Sequence, residues 1–514
     1  MRTRTKILFL LYLAISFVAT SCNDWLDINQ NPNAPSELEY EELLASGISS
    51  VAYVAGGRYQ VLGALWSQHW TQSPGASQYS GLDSYDINSS TFDNNQFGEL
   101  YSGALKNLEE VRLGALDDKE WNFYLIATCM QAYAFQILVD LYGDIPFSQA
   151  LKGEQGITEP EYESGISVYD SLINRLDFAL SHEFDSEDLK DAGNKDLLFN
   201  GDIERWIEFA NTLKLKIFLR QIYVRPEVSE NGIRAMYAAN ADFLSTHAQL
   251  KVFTDESGRR NPVYDTDVST FGGNPNLIMS NTVYSYLLEN GDLERLDNLF
   301  DKPAVGGSHK ALVQGNYYAP DEDAGINSNS YSKPYLYADD PVFLISYEES
   351  CFLQAEAIIR YQTDDFSEAR DLYNKAVKAS FNRVLNRVSI HKYGTTVSTD
   401  IIAESALSGN YSFPSEGSEQ ETFIKSIIEQ KWIALSGTQN LETFFEQNRT
   451  GYPQESPVPA DDNAYVPGEL SVSVNNVTSG KFPRRLIYPE SEYASNRNTP
   501  DLKEVWVNIW WDID

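Results

Sequence analysis

The sequence predicts a mainly α-helical protein of tetratricopeptide-like helix pairs, with long irregular segments and at most a few short strands. Three observations carry this. Apolar residues recur at helical spacing in several long blocks. Two adjacent blocks, from Tyr347 to Ser380, span 34 residues, the length of one tetratricopeptide unit. Between the blocks lie long polar stretches rich in Gly, Asn, Ser and Tyr.

The chain opens on Arg2, Arg4 and Lys6. An apolar run from Ile7 to Val18 follows, then Ala19-Thr20-Ser21-Cys22. That order is a secretory signal peptide over residues 1–21. The apolar run would reach only about 18 Å as a helix, short of a bilayer core of about 30 Å. Length therefore argues against the alternative, an uncleaved anchor helix. The segment resembles a lipobox, with Ala19 where leucine is commonest. Cys22 would then carry the lipid, and buried methylenes would hold the protein on a membrane. The other reading is ordinary cleavage nearby and a free cysteine. Asp24 and Asp27, just behind Cys22, resemble an export signal of surface-exposed lipoproteins. The mature chain, residues 22–514, is expected to be one unit.

The formal net charge is −35, and the leader holds three basic residues and no acids. So acidic a surface excludes nucleic acid as a natural partner. Solubility is the plain reading of the charge. After Cys22 only Cys129 and Cys351 remain. Both sit in apolar helical patterns, which favours buried thiols over a single disulfide.

The helical blocks follow in order. Residues 121–142 carry Trp121, Leu125, Ala132, Phe135 and Val139, and stop at Gly143 with Pro146 beyond. Residues 168–181 repeat Tyr169, Leu172, Ile173, Leu176 and Leu180. Residues 203–224 have two apolar faces, so that helix should be buried between neighbours, ending before Pro226. Residues 347–360 and 367–383 form the 34-residue pair, with Asp365 and Glu368 resembling a capping box. Residues 420–445 read as one further block. The tetratricopeptide-like helices thus fall within about 121–224 and 347–445. The loops are 82–96, 255–275, 305–340 and 450–481. Within the last, Leu470-Ser-Val-Ser-Val alternates with period two and suggests a short strand pair.

No catalytic motif is present. His69, His182, His247, His309 and His391 include no helical metal pair. There is neither a nucleophile elbow nor a phosphate-binding glycine loop. A glycosidase-like carboxylate pair stays open, because 74 acids offer many arbitrary pairs. Asp265-Thr266-Asp267 and Asp321-Glu322-Asp323 could lend oxygens to a structural calcium, although neither has the twelve-residue loop spacing. No other cofactor is expected.

Taken together, the segments resemble the SusD/RagB family of nutrient-binding outer-membrane lipoproteins, especially its SusD-like branch. The carriers are residues 22–29 (CNDWLDIN) with 31–35 (NPNAP), and 131–147 (QAYAFQILVDLYGDIPF). They continue with 205–216 (RWIEFANTLKLK), 347–357 (YEESCFLQAEA), 430–435 (QKWIAL), 448–453 (NRTGYP) and 483–489 (PRRLIYP). The resemblance implies a SusD-like fold and an outer-membrane protein facing the exterior. It implies capture of oligosaccharides, or of peptides in some branches, for a SusC/RagA-type TonB-dependent transporter. It implies no catalysis. A glycan pocket would fall in the loops after the first helix and in the irregular middle segment. Those regions hold Trp66, Trp70, Gln72, Tyr79 and Tyr85, and Tyr317, Tyr318, Tyr331 and Tyr335. Sugar rings present a CH face that an aromatic ring matches, while amides take hydroxyls. For each of these residues packing is the competing role; Trp66 and Trp70, four apart, could simply be core. A surface hydrolase is the remaining alternative.

Overall fold

Helices form where the apolar period runs, and glycine, proline or a side-chain cap marks their ends. The computed structural model describes residues 39–513 apart from 274, 304–305, 319–327 and 362–365. The leader, Cys22, Asp321–Asp323 and the Asp365 cap lie outside the described residues. The first helices are α1 (Leu43–Ala55), α2 (Arg58–Trp66), the single turn α3 (Ser80–Asp83), α4 (Lys106–Asp118) and α5 (Trp121–Tyr142). Next come α6 (Gly165–Leu180), α7 (Ile203–Arg220), α8 (Pro226–Ala238), α9 (Asn281–Glu289) and α10 (Leu293–Leu299). The C-terminal part holds α11 (Tyr347–Tyr361), α12 (Phe366–Tyr393), α13 (Asp400–Ser408), α14 (Gln420–Ala434), α15 (Asn440–Thr450) and α16 (Glu490–Ser495).

Sequence neighbours pack as pairs: α4 on α5, α5 on α6, and α11 on α12. Longer-range packing sets α2 against α15 and α14 against α11. The strands are three short antiparallel ribbons. They are β1 (Trp70–Gln72) with β5 (Leu277–Met279), β2 (Ile145–Pro146) with β3 (Tyr162–Glu163), and β4 (Ala248–Leu250) with β6 (Val342–Ile345). The architecture is therefore mainly helical with few short strands, as expected.

Caps explain several starts. Ser164 accepts from Ser167 N at 3.3 Å ahead of α6, and Asp292 from Arg295 N at 3.1 Å ahead of α10. Helix α5 is long and apolar enough to cross a bilayer, yet its most apolar 18 residues are wholly buried inside the protein. One main core runs from Leu44 to Trp511, with a satellite around Leu215, Phe218 and Leu353. Cys129 and Cys351 are free and buried.

An ion network crosses this core. Lys216 meets Glu349 at 2.8 Å and Glu442 at 3.1 Å. Arg220 meets Asp140 at 3.1 Å, Glu442 at 2.7 Å and Glu446 at 2.5 Å. Lys431 reaches Glu446 at 3.3 Å, and Arg449 reaches Glu356 at 2.7 Å and Glu446 at 2.6 Å. These groups are buried and brace α5, α7, α11, α14 and α15 together. Each charge has lost its water, so each needs its partners.

Four sequence expectations are corrected. Residues 420–445 are not one helix: the chain breaks after Ala434, where Gly437 takes φ +78° and donates its N–H to Asn440 Oδ1 at 2.7 Å. The helix expected to stop at Arg383 continues to Tyr393. The helix expected to reach residue 224 ends at Arg220, and Pro226 opens α8, where its missing N–H costs nothing. Residues 470–474 form no strand; Leu470 makes one isolated bridge to Glu455, and the segment turns to bind its surroundings.

Candidate functional site

The two regions singled out in the sequence do meet. Chain 66–85 supplies a rigid base. Trp66 Nε1 donates to Leu82 O at 3.0 Å, and its ring packs against Phe444 with centroids 5.0 Å apart. Trp70 is enclosed in β1 opposite Met279. Gln72 Oε1 accepts from Tyr79 N at 2.7 Å, and its Nε2 donates to Ser73 O at 3.0 Å. Tyr79 and Tyr85 are buried, and burial pushes both phenols well up.

Asp83 is the hinge of the base. It accepts from Thr71 Oγ1 at 2.8 Å, Gln72 N at 2.9 Å and Gln314 Nε2. Burial pushes its carboxyl up to about 6, against these hydrogen bonds, which pull it down. Gln314 carries the middle segment onto the base. Gly315 N then donates to Thr71 Oγ1 at 3.1 Å, and Tyr317 OH to Ser80 O at 3.3 Å.

Tyr317 is buried, and it supports Tyr318 edge-on with centroids 4.7 Å apart at 61°. Tyr318 is 75% exposed. A third segment locks the assembly in place. Ser473 N donates to Tyr85 OH at 3.2 Å, Val474 N to Gln314 O at 2.9 Å and Val477 N to Ser84 O at 2.9 Å. The result is a tyrosine platform: one free ring on a base without slack.

The other candidate residues lie apart. Tyr331 is buried under Lys310, whose Nζ stands 4.8 Å from the ring centroid. Tyr335 is half-buried and parallel to Tyr337, and Lys392 Nζ donates to its OH at 2.5 Å. Tyr337 in turn stacks on His391 at 3.6 Å. Asp267, one of the residues considered for calcium, accepts from Asn276 N at 3.0 Å and Leu277 N at 3.4 Å, so backbone groups occupy its oxygens.

His391, at the end of that second stack, helps line a cleft of about 700 Å³ between β6 and the later turns of α12. Its volume suits a ligand of several rings. Two of its cations are paired: Arg383 Nε donates to Glu348 at 2.9 Å, and Arg387 Nε to Asp340 at 2.8 Å. Guanidinium groups also cover rings there, Arg383 lying 5.6 Å from the Phe343 centroid and Arg387 5.3 Å from that of Tyr337. Burial holds the His247 imidazole below its usual value, and its Nδ1 accepts from Tyr347 N at 3.1 Å.

Sequence reasoning missed Gln314, Tyr337 and His391. Tyr337 had a signal, two residues beyond Tyr335 in a tyrosine-rich loop. His391 had none, because its helix was expected to end eight residues earlier. Gln314 sits in a loop without any pattern.

The family model SusD-like, described as starch-binding and associating with the outer membrane, matches residues 32–489. No curated protein matches the chain. Among solved structures, a SusD homologue from Bacteroides uniformis ATCC 8492 superposes with TM-score 0.70 at 22% identity, covering 92% of this chain and 99% of that one. A SusD/RagB family protein from Bacteroides thetaiotaomicron gives TM-score 0.70 at 23% identity, with 92% and 99% covered. A chitin-binding SusD homologue from Flavobacterium johnsoniae gives TM-score 0.67 at 20% identity, again with 92% and 99% covered.

Proposed function

Because the chain belongs to the SusD-like family of starch-binding proteins that associate with the outer membrane, we propose that it captures neutral oligosaccharides outside the cell. One observation carries the reading. Segments more than 230 residues apart converge on Asp83 and leave Tyr318 as a free ring on a fixed base. A fixed ring binds the CH face of a sugar with little loss of freedom. Asn475, beside Gly315 at 2.6 Å, brings an amide close to the same place. The charge of −35 favours a neutral glycan over a polyanionic one.

In this account residues 1–21 direct export and Cys22 carries the lipid. The protein faces outward and hands its cargo to a SusC/RagA-type TonB-dependent transporter. It binds and releases; it performs no chemistry on the cargo. Weak binding suits that task, because cargo must leave.

A second reading, capture of a peptide, has its own observation. The cleft is lined by Gln249, Val342 and Phe343 of the two-stranded β4–β6 ribbon. An extended peptide can add to such a ribbon through backbone hydrogen bonds.

Titration of the lipid-free chain with malto- and chito-oligosaccharides tests the proposal. We expect binding that Tyr318→Ala weakens about tenfold, the worth of one aromatic contact. Silence toward both series, with binding of mixed peptides, would favour the second reading.

A further inference from the structure

We propose that Trp506 forms a second subsite for the same oligosaccharide, linked to the tyrosine platform by the segment 470–482; the inference rests on the glycan reading above. An open pocket of about 490 Å³ lies near the C-terminus, walled by Trp506, Phe482 and Pro457. Trp506 is half-buried, with the protein core on one side and the pocket on the other. Lys481 Nζ stands 5.0 Å from its ring centroid.

The polar side of the pocket is held in place. Arg484 N donates to Val505 O at 2.8 Å, the residue before Trp506. Arg484 Nη1 donates to Asn448 Oδ1 at 2.8 Å and Nη2 to Glu455 Oε1 at 2.8 Å. Glu455 Oε2 has no partner among the described residues, and its side chain is 30% exposed. An indole face, a fixed guanidinium and a carboxylate oxygen with spare capacity are the contacts a pyranose needs: one apolar face, one donor, one acceptor. Arg484 pairs with Glu455 and lies 3.6 Å from Asp512, so the two acids balance Arg484 and Lys481 and a neutral sugar fits the pocket.

The connection to the platform runs along the backbone and across one hydrogen bond. Val472 lines the pocket, and Val474 N donates to Gln314 O at 2.9 Å. Gln314 is three residues from Tyr317. Along this path the backbone at Val472 and at Tyr318 is at most about 30 Å apart, a span that an oligosaccharide of several rings covers. Two weak contacts on one ligand act together, the second at high effective concentration once the first has formed.

The test is affinity against chain length, using malto- and chito-oligosaccharide ladders on the lipid-free chain. Wild type should show a step in affinity where the glycan becomes long enough to touch both rings. Trp506→Ala should remove that step, binding the longest members about tenfold more weakly and the shortest unchanged. Wild-type affinity of Trp506→Ala for the longest members would overturn the proposal, as would an equal loss at every length. Trp506→Phe keeps a ring and the packing: the step should persist while the tryptophan emission change with long ligands shrinks. An emission change equal to wild type's would also overturn it. A wild-type protein that binds neither ladder would overturn the platform reading and this one together, whereas binding without a step would remove the second subsite alone.

Discussion

Arg449 grips Glu356 with both ends of its guanidinium, Nη1 to Oε1 at 2.8 Å and Nη2 to Oε2 at 2.7 Å. The two residues are 93 positions apart, and neither is exposed to water. The same guanidinium also holds Glu446 at 2.6 Å. The pair closes the network that fastens α11 to α15. Such a pair gives little net stability over an apolar isostere, but breaking it strands a buried charge.

Glu356→Gln is therefore expected to destabilise the fold by roughly 3 kcal/mol. Chemical denaturation measures it. A double-mutant cycle with Arg449→Met should show coupling above about 1 kcal/mol. Additive losses would mean that the two groups act independently.

Buried carboxyls and a buried imidazole pull stability in opposite directions as the pH is lowered. Burial pushes Asp83 and Asp267 up to about 6, from 3.8. Each binds its proton more tightly in the folded state. Their cost is present above pH 6 and is relieved as the pH drops through that value. Glu446 behaves oppositely. Burial raises its carboxyl, but the charges of Arg449, Lys431 and Arg220 prevail and hold it well below 4.5. Its contribution is present above pH 4.5 and is lost below, as the pH falls toward its folded value. Burial holds the His69 imidazole down to about 3, so its cost grows as the pH falls below 6.5 and opposes the gain from the two aspartates. The difference in melting temperature between Asp83→Asn and wild type isolates the carboxyl: the advantage of the variant should shrink as the pH falls from 7 to 5, and a difference that does not change with pH would contradict this assignment.

Neither core thiol should react in the folded protein. Burial pushes the Cys129 thiol well up and the Cys351 thiol to about 12. Only the thiolate attacks, so a disulfide reagent at pH 8 should label both in denaturant and neither without it. Fast native labelling of Cys351 would mean that α11 opens locally.

Trp66→Ala and Tyr318→Ala should separate packing from binding. Trp66 is 2% exposed, and its loss should cost about 3–5 kcal/mol of stability. Tyr318 is 75% exposed, and its loss should leave the melting temperature unchanged while weakening glycan binding. Calorimetry and titration on the two variants distinguish these effects.

The helices were legible where packing is local. Helix α5 shows its apolar period, its glycine stop and its following proline, and its bounds match the expectation at both ends. Helix α12 runs ten residues past its expected end, and Asn386, Arg387 and His391 in that extension face the cleft. Gly437 hid inside an apolar period that continued on both sides of it. The segments that carried the family resemblance supply Asp140, Lys216, Glu349, Glu356, Lys431 and Arg449, all members of the buried ion network. They announce the fold and contribute nothing to the platform.

The platform was legible only as two neighbourhoods. Which tyrosine keeps a free face depends on long-range contacts such as Gln314 to Asp83 and Ser473 to Tyr85, and no local pattern encodes those. Trp66, Trp70, Gln72, Tyr79 and Tyr85 thus lie in the supporting base, and Tyr318 carries the exposed ring. Residues 470–474, expected in a short strand pair, instead spend the backbone donors of Ser473 and Val474 on the platform.

Hydrogen–deuterium exchange of the lipid-free chain, with and without a saturating malto- or chito-oligosaccharide, probes glycan capture at the platform most directly. Slower exchange should appear in residues 80–86 and 314–318. Unchanged exchange there, with peptide-induced protection along 248–250 and 342–345, would place the cargo in the cleft and contradict the account.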